Sequence, residues 1–298
     1  MSLAPITSAN APAIAGAVLS ASFDGSSLGS FAGFGAGGAS PLAGTATAPQ
    51  SKAAQIQRAH VLAVVKQSAA RTAQATFDPE MSQCTGGGTV TVSGNLANPL
   101  TLSPNDTILF VFASCAEDGA TVSGRFAMRV TSFSGDLLNG AFTLGVSVDL
   151  TSFAVTADGE TATANGTIAI AVSSSFAGTV STTVTSSSFT IADGTTTVTL
   201  SDYSAARTLD TVAGSFTLDA GGTVTSSAFS GSVTFDTTLL LTGTGDSFAS
   251  AGELVITGAN KGTIKVAVLD ETSVRISVDA NGDGTVDTIV DQTWEELL

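Results

Sequence analysis

The chain has 298 residues, with 25 acidic and 10 basic side chains and a net charge of −15. Such a surface repels phosphate backbones and anionic lipid, which argues against nucleic-acid binding and adsorption to acidic membranes. No run reaches the roughly 18 consecutive apolar residues of a membrane-spanning helix, so none is expected.

From the N-terminus, residues 6–22 read as a short helix. Asn10 is placed as its N-cap, Pro12 falls in the first turn, and Ile14, Val18 and Leu19 share a face. The opening Met1-Ser2-Leu3-Ala4-Pro5 has no basic stretch, so a signal peptide is not expected in this chain. Residues 24–50 hold seven glycines and almost no charge, and read as a linker.

Residues 51–74 form the clearest helical pattern. Val61, Val64 and Val65 lie on one side and Lys52, Lys66 and Gln67 on the other. Asp78-Pro79 marks its end, and His60, the single histidine, is expected to be structural. Residues 51–76 carry four bases and no acid, whereas residues 77–298 carry 24 acids and 6 bases. Two readings stand: the basic segment docks on the acidic body, or its charged face is solvated. The expected organisation is an N-terminal helical segment over 1–76, with the linker at 24–50, and a β domain over 77–298.

After Cys84 the apolar period changes from 3.6 to 2. Runs rich in Val, Thr, Phe and Ile are punctuated by Asp118-Gly119, Asp158-Gly159, Asp193-Gly194, Gly221-Gly222 and Asp283-Gly284. Asp-Gly between alternating runs is a strong hairpin signal. Gly145–Thr156 and Thr161–Ser173 should form one long hairpin, and Gly178–Ile191 and Thr195–Ala205 another. The fold class is therefore mainly β: a long antiparallel meander forming a strongly curved sheet, half-barrel or barrel-like body, with one or two N-terminal helices packed on it.

A Thr-Ser-…-Phe element recurs at Thr131–Phe133, Thr151–Phe153, Thr185–Phe189 and Thr225–Phe229. The steps from the preceding apolar residue (Val130, Leu150, Val184, Val224) to the Phe are 3, 3, 5 and 5. Because strand side chains alternate with period 2, each odd step predicts a switch of the buried side through a bulge or bend, unless the repeat is chance in a low-complexity sequence.

Cys84 and Cys115 are expected to form a disulfide, as in an exported protein. Metal binding by the pair is not expected, since the histidine lies in a different kind of segment. The leading metal candidate is Asp279, Asn281, Asp283, Thr285 and Asp287, which match the first nine positions of a calcium loop, with Gly284 at the tight turn. Val290 stands where a bidentate Glu is usual, so an acidic hairpin turn is the alternative reading. Catalysis has little to work with: no nucleophile–His arrangement suggests itself, and no carboxylate spacing stands out. Gly86-Gly87-Gly88 lacks the Lys of a phosphate loop, and Trp294 reads as a core anchor.

Four landmarks together resemble an uncharacterised family of bacterial exported, lipoprotein-type β proteins. They are Ile6-Thr7-Ser8-Ala9-Asn10-Ala11-Pro12; Cys84-Thr85-Gly86-Gly87-Gly88-Thr89-Val90 with Cys115-Ala116-Glu117-Asp118-Gly119; Ile256-Thr257-Gly258-Ala259-Asn260; and Val278–Asp287 leading to Trp294-Glu295-Glu296-Leu297. The resemblance implies envelope or surface localisation (periplasm, outer-membrane surface or extracellular) and no transferable activity. The family's lipid-bearing cysteine has no counterpart near the start.

The expected function is a non-enzymatic envelope or surface protein, a structural, adhesive or filament-forming β module that self-associates or binds a surface partner. The alternative is a carrier of lipid or another apolar ligand in a curved half-barrel, suggested by the positive mean hydropathy. An outer-membrane barrel fits the long hairpins but not the missing aromatic girdle.

Overall fold

The computed structural model describes residues 2–27, 75–97, 102–117, 119–136, 140–175, 177–194, 196–244 and 248–298. The expected helix over 51–74, most of the linker and His60 lie outside them. The described chain is a helix, then a single antiparallel sheet of 14 strands whose spatial order is the sequence order, then a short helix after the last strand. These are β1 (Ala75–Gln83), β2 (Thr89–Leu96), β3 (Thr107–Glu117), β4 (Ala120–Gly135), β5 (Phe142–Ala157), β6 (Glu160–Ser174) and β7 (Thr179–Asp193), then β8 (Thr196–Asp210), β9 (Ser215–Ser226), β10 (Ser232–Thr244), β11 (Ala251–Thr257), β12 (Thr263–Val268), β13 (Ser273–Asp279) and β14 (Thr288–Thr293). The meander is as expected. The sheet is not closed into a barrel, for β1 and β14 are its two edges.

Both long hairpins form where the Asp-Gly dipeptides put them. Asp158 and Gly159 turn at φ 54° and 85°, the positive-φ pair of a tight hairpin whose twist matches the flanking strands. Gly221-Gly222 does not turn. It lies inside β9, and Gly222 (φ 152°) faces the point where β8 carries an extra residue, Asp202. There a Cβ would lie 3.0 Å from the Tyr203 Cα and 3.2 Å from the Ser201 carbonyl oxygen, which is why a side-chain-free residue sits there.

The odd steps are bulges, but they do not move the buried side. Leu150 pairs with Gly166 and Phe153 with Ala164, so Thr151 and Ser152 on β5 oppose Asn165 alone on β6. Ser152, at φ 46°, absorbs the extra residue. On β6 the buried residues Ala162, Ala164, Ile168, Ile170 and Val172 keep a strict even spacing, and Leu150 and Phe153 are both buried across from that face. A bulge places its two residues on the same side of the sheet, which cancels the odd step. The same holds for Val184 and Phe189 on β7, where Thr185–Ser188 opposes Thr167–Ala169. At Val130 the shift falls on Thr131, and Phe133 is half-buried against the core. The fourth element breaks the pattern: β9 ends at Ser226, and Phe229 lies in the turn beyond it.

These irregularities line up across the sheet. Ser114 on β3 (φ 48°), Ser152 on β5 and Asp202 on β8 (φ 48°) carry left-handed backbone, and β7 carries its extra residue between them. Phe112 pairs with Gly124 and Leu150 with Gly166, which joins one bulge to the next through a glycine. Gly124 shows the constraint best: at φ 96° its Cβ would stand 2.1 Å from the Ser152 carbonyl oxygen. Gly124→Ala is therefore expected to destabilise by about 2–3 kcal/mol, read by calorimetry. Gly159→Ala, at positive φ but in open space, should lose clearly less. Equal losses would show that backbone strain alone, rather than the close approach, sets the penalty.

The helix α1 (Ala11–Ser27) starts five residues later than expected and runs five further. Asn10 directly precedes the helix, at the expected cap position, and its carbonyl accepts the Ile14 N–H at 3.0 Å. Thr7 Oγ1 accepts the Asn10 N–H (3.2 Å), and Asn10 Oδ1 accepts the Thr7 N–H (2.8 Å), a reciprocal pair that ties the turn leading into the helix. The Asn10 side chain thus turns back to Thr7 rather than onto the first helical amides. Ala11, Ile14, Ala15, Val18, Leu19, Ala21 and Phe23 are all buried. A helix apolar on nearly all sides must be surrounded, and α1 packs on β7, β8 and β9 and also on β12, β13 and the short α2 (Trp294–Leu297). Tyr203 on β8 donates its Oη–H to the Ser22 carbonyl at 3.0 Å, so the one tyrosine finds its partner in this helix.

Candidate metal centre and cystine

The residues picked out as metal ligands lie in the β13–β14 connection. Asp279 ends β13 and is buried, 7 % exposed. A buried carboxylate needs donors, and Asp279 has two: Oδ1 accepts the Gly282 N–H and Oδ2 the Gly284 N–H, each at 2.8 Å. Asn281 Oδ1 accepts the Asp283 N–H, and Asp283 Oδ1 accepts the Thr285 N–H, also at 2.8 Å. Asp287 Oδ2 accepts the Ala280 N–H at 2.8 Å, closing the loop. The Thr285 amide and hydroxyl, with help from Asn281, hold the Asp283 carboxyl below its usual range. The glycines at 282 and 284 take φ 74° and 86°, which lets the loop wrap around Asp279.

Two other segments meet this loop. The β11–β12 turn carries Asn260 and Lys261 at φ 55° and 63°, and the Asn260 carbonyl and Lys261 lie against Gly282. The N-terminal strap reaches it through Ser8 Oγ and Thr288 Oγ1, 2.7 Å apart, and through Ala4, whose carbonyl accepts the Ala259 N–H at 2.7 Å. In the sequence Ile256–Asn260 and Ile6–Pro12 are separate landmarks, and nothing local marks that they meet at this end of the sheet.

The loop aspartates are not drawn together as a trio. Among the described residues, the group within 4.8 Å is Cys84, Cys115 and Glu117. Its two sulfurs are bonded to each other, Cα–Cα 5.4 Å, so they offer no thiolate. The expected disulfide is thus present, tying the β1–β2 turn to β3 immediately after the Ser114 bulge. Both cysteines are buried. Elsewhere, Asp193 and Glu160 stand on neighbouring hairpin ends. Burial first, and then the Glu160 charge, push the Asp193 carboxyl up.

Trp294 is a core anchor, as expected. It is fully buried, stacked on Phe248 at 5.4 Å and edge-on to Phe23 of α1 at 6.3 Å. Among the described residues, no helix is long and apolar enough to cross a membrane. No protein-family model matches the chain, and no curated protein matches it.

Proposed function

We propose that the protein is a non-enzymatic bacterial cell-envelope or surface protein, a structural, adhesive or filament-forming β module. The observation that carries this reading is the buried cystine at one edge of a long antiparallel meander, because such bonds persist outside the reducing cytosol. The exposed hydroxyl pairs add support: Ser134 with Thr143 and Thr156 with Thr161 bridge neighbouring strands, the side chains of a hydrated wall rather than a reaction centre. In this reading the meander curls about α1 as a half-barrel. α1 then fills the space between β7–β9 and β12–β13 that an apolar ligand would need, which favours a structural role over lipid carriage. Protease shaving and antibody labelling of intact source cells test the reading. The protein should be labelled from outside or released with the envelope fraction; recovery only from the cytosol, with free thiols, would sink it.

A calcium ion at Asp279, Asn281, Asp283, Thr285 and Asp287 belongs to the same proposal. Its support is the amide network, which holds a tight oxygen-rich turn in place between two strands. Calcium at a hundredfold excess over its dissociation constant should stabilise the protein by about 2.7 kcal/mol, and Asp283→Ala should remove most of that gain. A melting temperature indifferent to calcium leaves the loop as a self-satisfied acidic turn.

A further inference from the structure

We infer that the β14 edge is a homodimer interface, formed by two copies of this chain pairing antiparallel about a two-fold axis at Val290. The inference rests on the proposed self-associating role and names the surface and the partner. The two sheet edges differ. β1 carries Asp78-Pro79 at a register shift between Phe77 and Glu80, and a proline within a bulge blunts an edge. β14 has no such device: its strand is regular against β13, and Ile289 and Val286 are 60 % and 49 % exposed. Among the described residues no strand lies beyond it.

The hydrogen-bond phase fixes what this edge offers. Trp294 N–H donates to the Thr272 carbonyl, flanking the Ser273–Thr293 pair. Antiparallel pairs alternate, so Gln292, Val290 and Thr288 direct their backbone groups at β13, while Ile289 and Asp291 direct theirs outward. The outward N–H of Thr293 is taken by Glu296 Oε2. The outward N–H groups left free are thus those of Ile289 and Asp291, one on each side of Val290.

That spacing is self-complementary. With the axis at Val290, Ile289 of each copy exchanges its N–H and C=O bonds with the partner's Asp291, so the outward groups of these two residues are satisfied on both strands. The interface is isologous and closes as a dimer. Asp291 faces the partner's Ile289 and not the partner's Asp291, and its charge is already held by Arg275 through two bonds of 2.7 and 2.8 Å. The local charge balance matters in a chain at −15. A β-strand from another protein can satisfy the same amides, whereas a second copy also sets Val290 against Val290 on the axis.

Sedimentation equilibrium of the full chain tests the inference. The wild type should pass from monomer to dimer with concentration. Ile289→Pro removes an outward N–H without breaking a bond to β13, and should weaken dimerisation roughly tenfold or more at unchanged melting temperature. In a second test that does not depend on that variant, Val290→Cys should oxidise to an intermolecular disulfide faster than Thr285→Cys, because the axis brings the two Val290 side chains together as a close pair. A chain monomeric throughout, with no faster cross-linking of Val290→Cys, overturns the interface. So does a dimer that survives Ile289→Pro with full strength; self-association then stands and this edge does not carry it. Cytosolic recovery in the labelling experiment would instead remove the surface reading and leave edge pairing intact.

Discussion

Trp294→Ala is expected to cost about 3–5 kcal/mol. The indole joins three parts of the molecule: Phe23 from α1, Phe248 ahead of β11, and the Asp270 carbonyl in the β12–β13 turn, which accepts its Nε1–H at 3.4 Å. Truncation leaves a cavity where these meet and removes the anchor of α2. The short α2 has little hold of its own beyond its capping box, in which Thr293 Oγ1 accepts the Glu296 N–H and Glu296 accepts the Thr293 N–H. Trp294→Phe keeps most of the contacts and should lose less than half as much. Because Trp294 is the one tryptophan, its emission should be blue-shifted in the folded chain and shift red on unfolding. The variants are therefore compared by circular dichroism in denaturant. An alanine variant within about 1 kcal/mol of wild type would mean that the ring stack is not part of the cooperative core.

The meander was legible because its signals are local. Asp158-Gly159 and Asp193-Gly194 announce their turns, and the period-2 runs between them can only be long strands with one buried face. The bulges were legible as odd steps, yet their consequence was inverted. A step of three from Leu150 to Phe153 implies a face switch only if every residue keeps the pleat. Whether Ser152 breaks it depends on its neighbours in space, Gly124 on β4 and the Leu150–Gly166 pair, which one strand's sequence does not contain. Gly221-Gly222 failed for the same reason: a glycine pair serves a turn and a bulge's partner equally well, and only the β8 register decides. Asn10 was legible as the residue before α1, but not that its side chain would turn back to Thr7, since Thr7 and Asn10 can bond to each other as well as to helical amides.

The candidate metal loop divides along the same line. The Asp-x-Asn-x-Asp-Gly spacing, which makes a tight oxygen-rich turn by its covalent geometry, was visible, and the turn forms. The surroundings were not, since Asn260, Lys261 and the strap at Ala4 and Ser8 arrive from distant positions. They brace the loop from two sides. A calcium ion there would lock three chain segments at one end of the sheet rather than a single hairpin. The gain expected from calcium should therefore appear as slower hydrogen exchange at β11–β12 as well as at β13–β14.

Removing the cystine should destabilise the chain by about 3–4 kcal/mol, and the loss should begin at one edge. The bridge spans 31 positions, and closing a loop of that length in the unfolded chain accounts for the magnitude on the chain-entropy description. Its position determines where the loss appears. Cys84 and Gly88 hold the β1–β2 turn by a backbone bond of 3.1 Å, and Gly86 donates its N–H to the Ala116 carbonyl at 2.8 Å. With the bridge gone, those bonds and the β1–β2 hairpin depend on β3 alone, at the point where Ser114 already departs from regular pairing. The paired variant Cys84→Ala, Cys115→Ala keeps the buried sites apolar and isolates the covalent term. It should unfold at lower denaturant, with amides of β1 and β2 exchanging before those of β5–β8. Reductant should lower the wild-type midpoint towards that of the variant and leave the variant unmoved. A wild type whose midpoint ignores reductant after full unfolding and refolding would show that the bond contributes no stability. An exchange pattern that loosens uniformly across the sheet would show that the edge has no separate weakness.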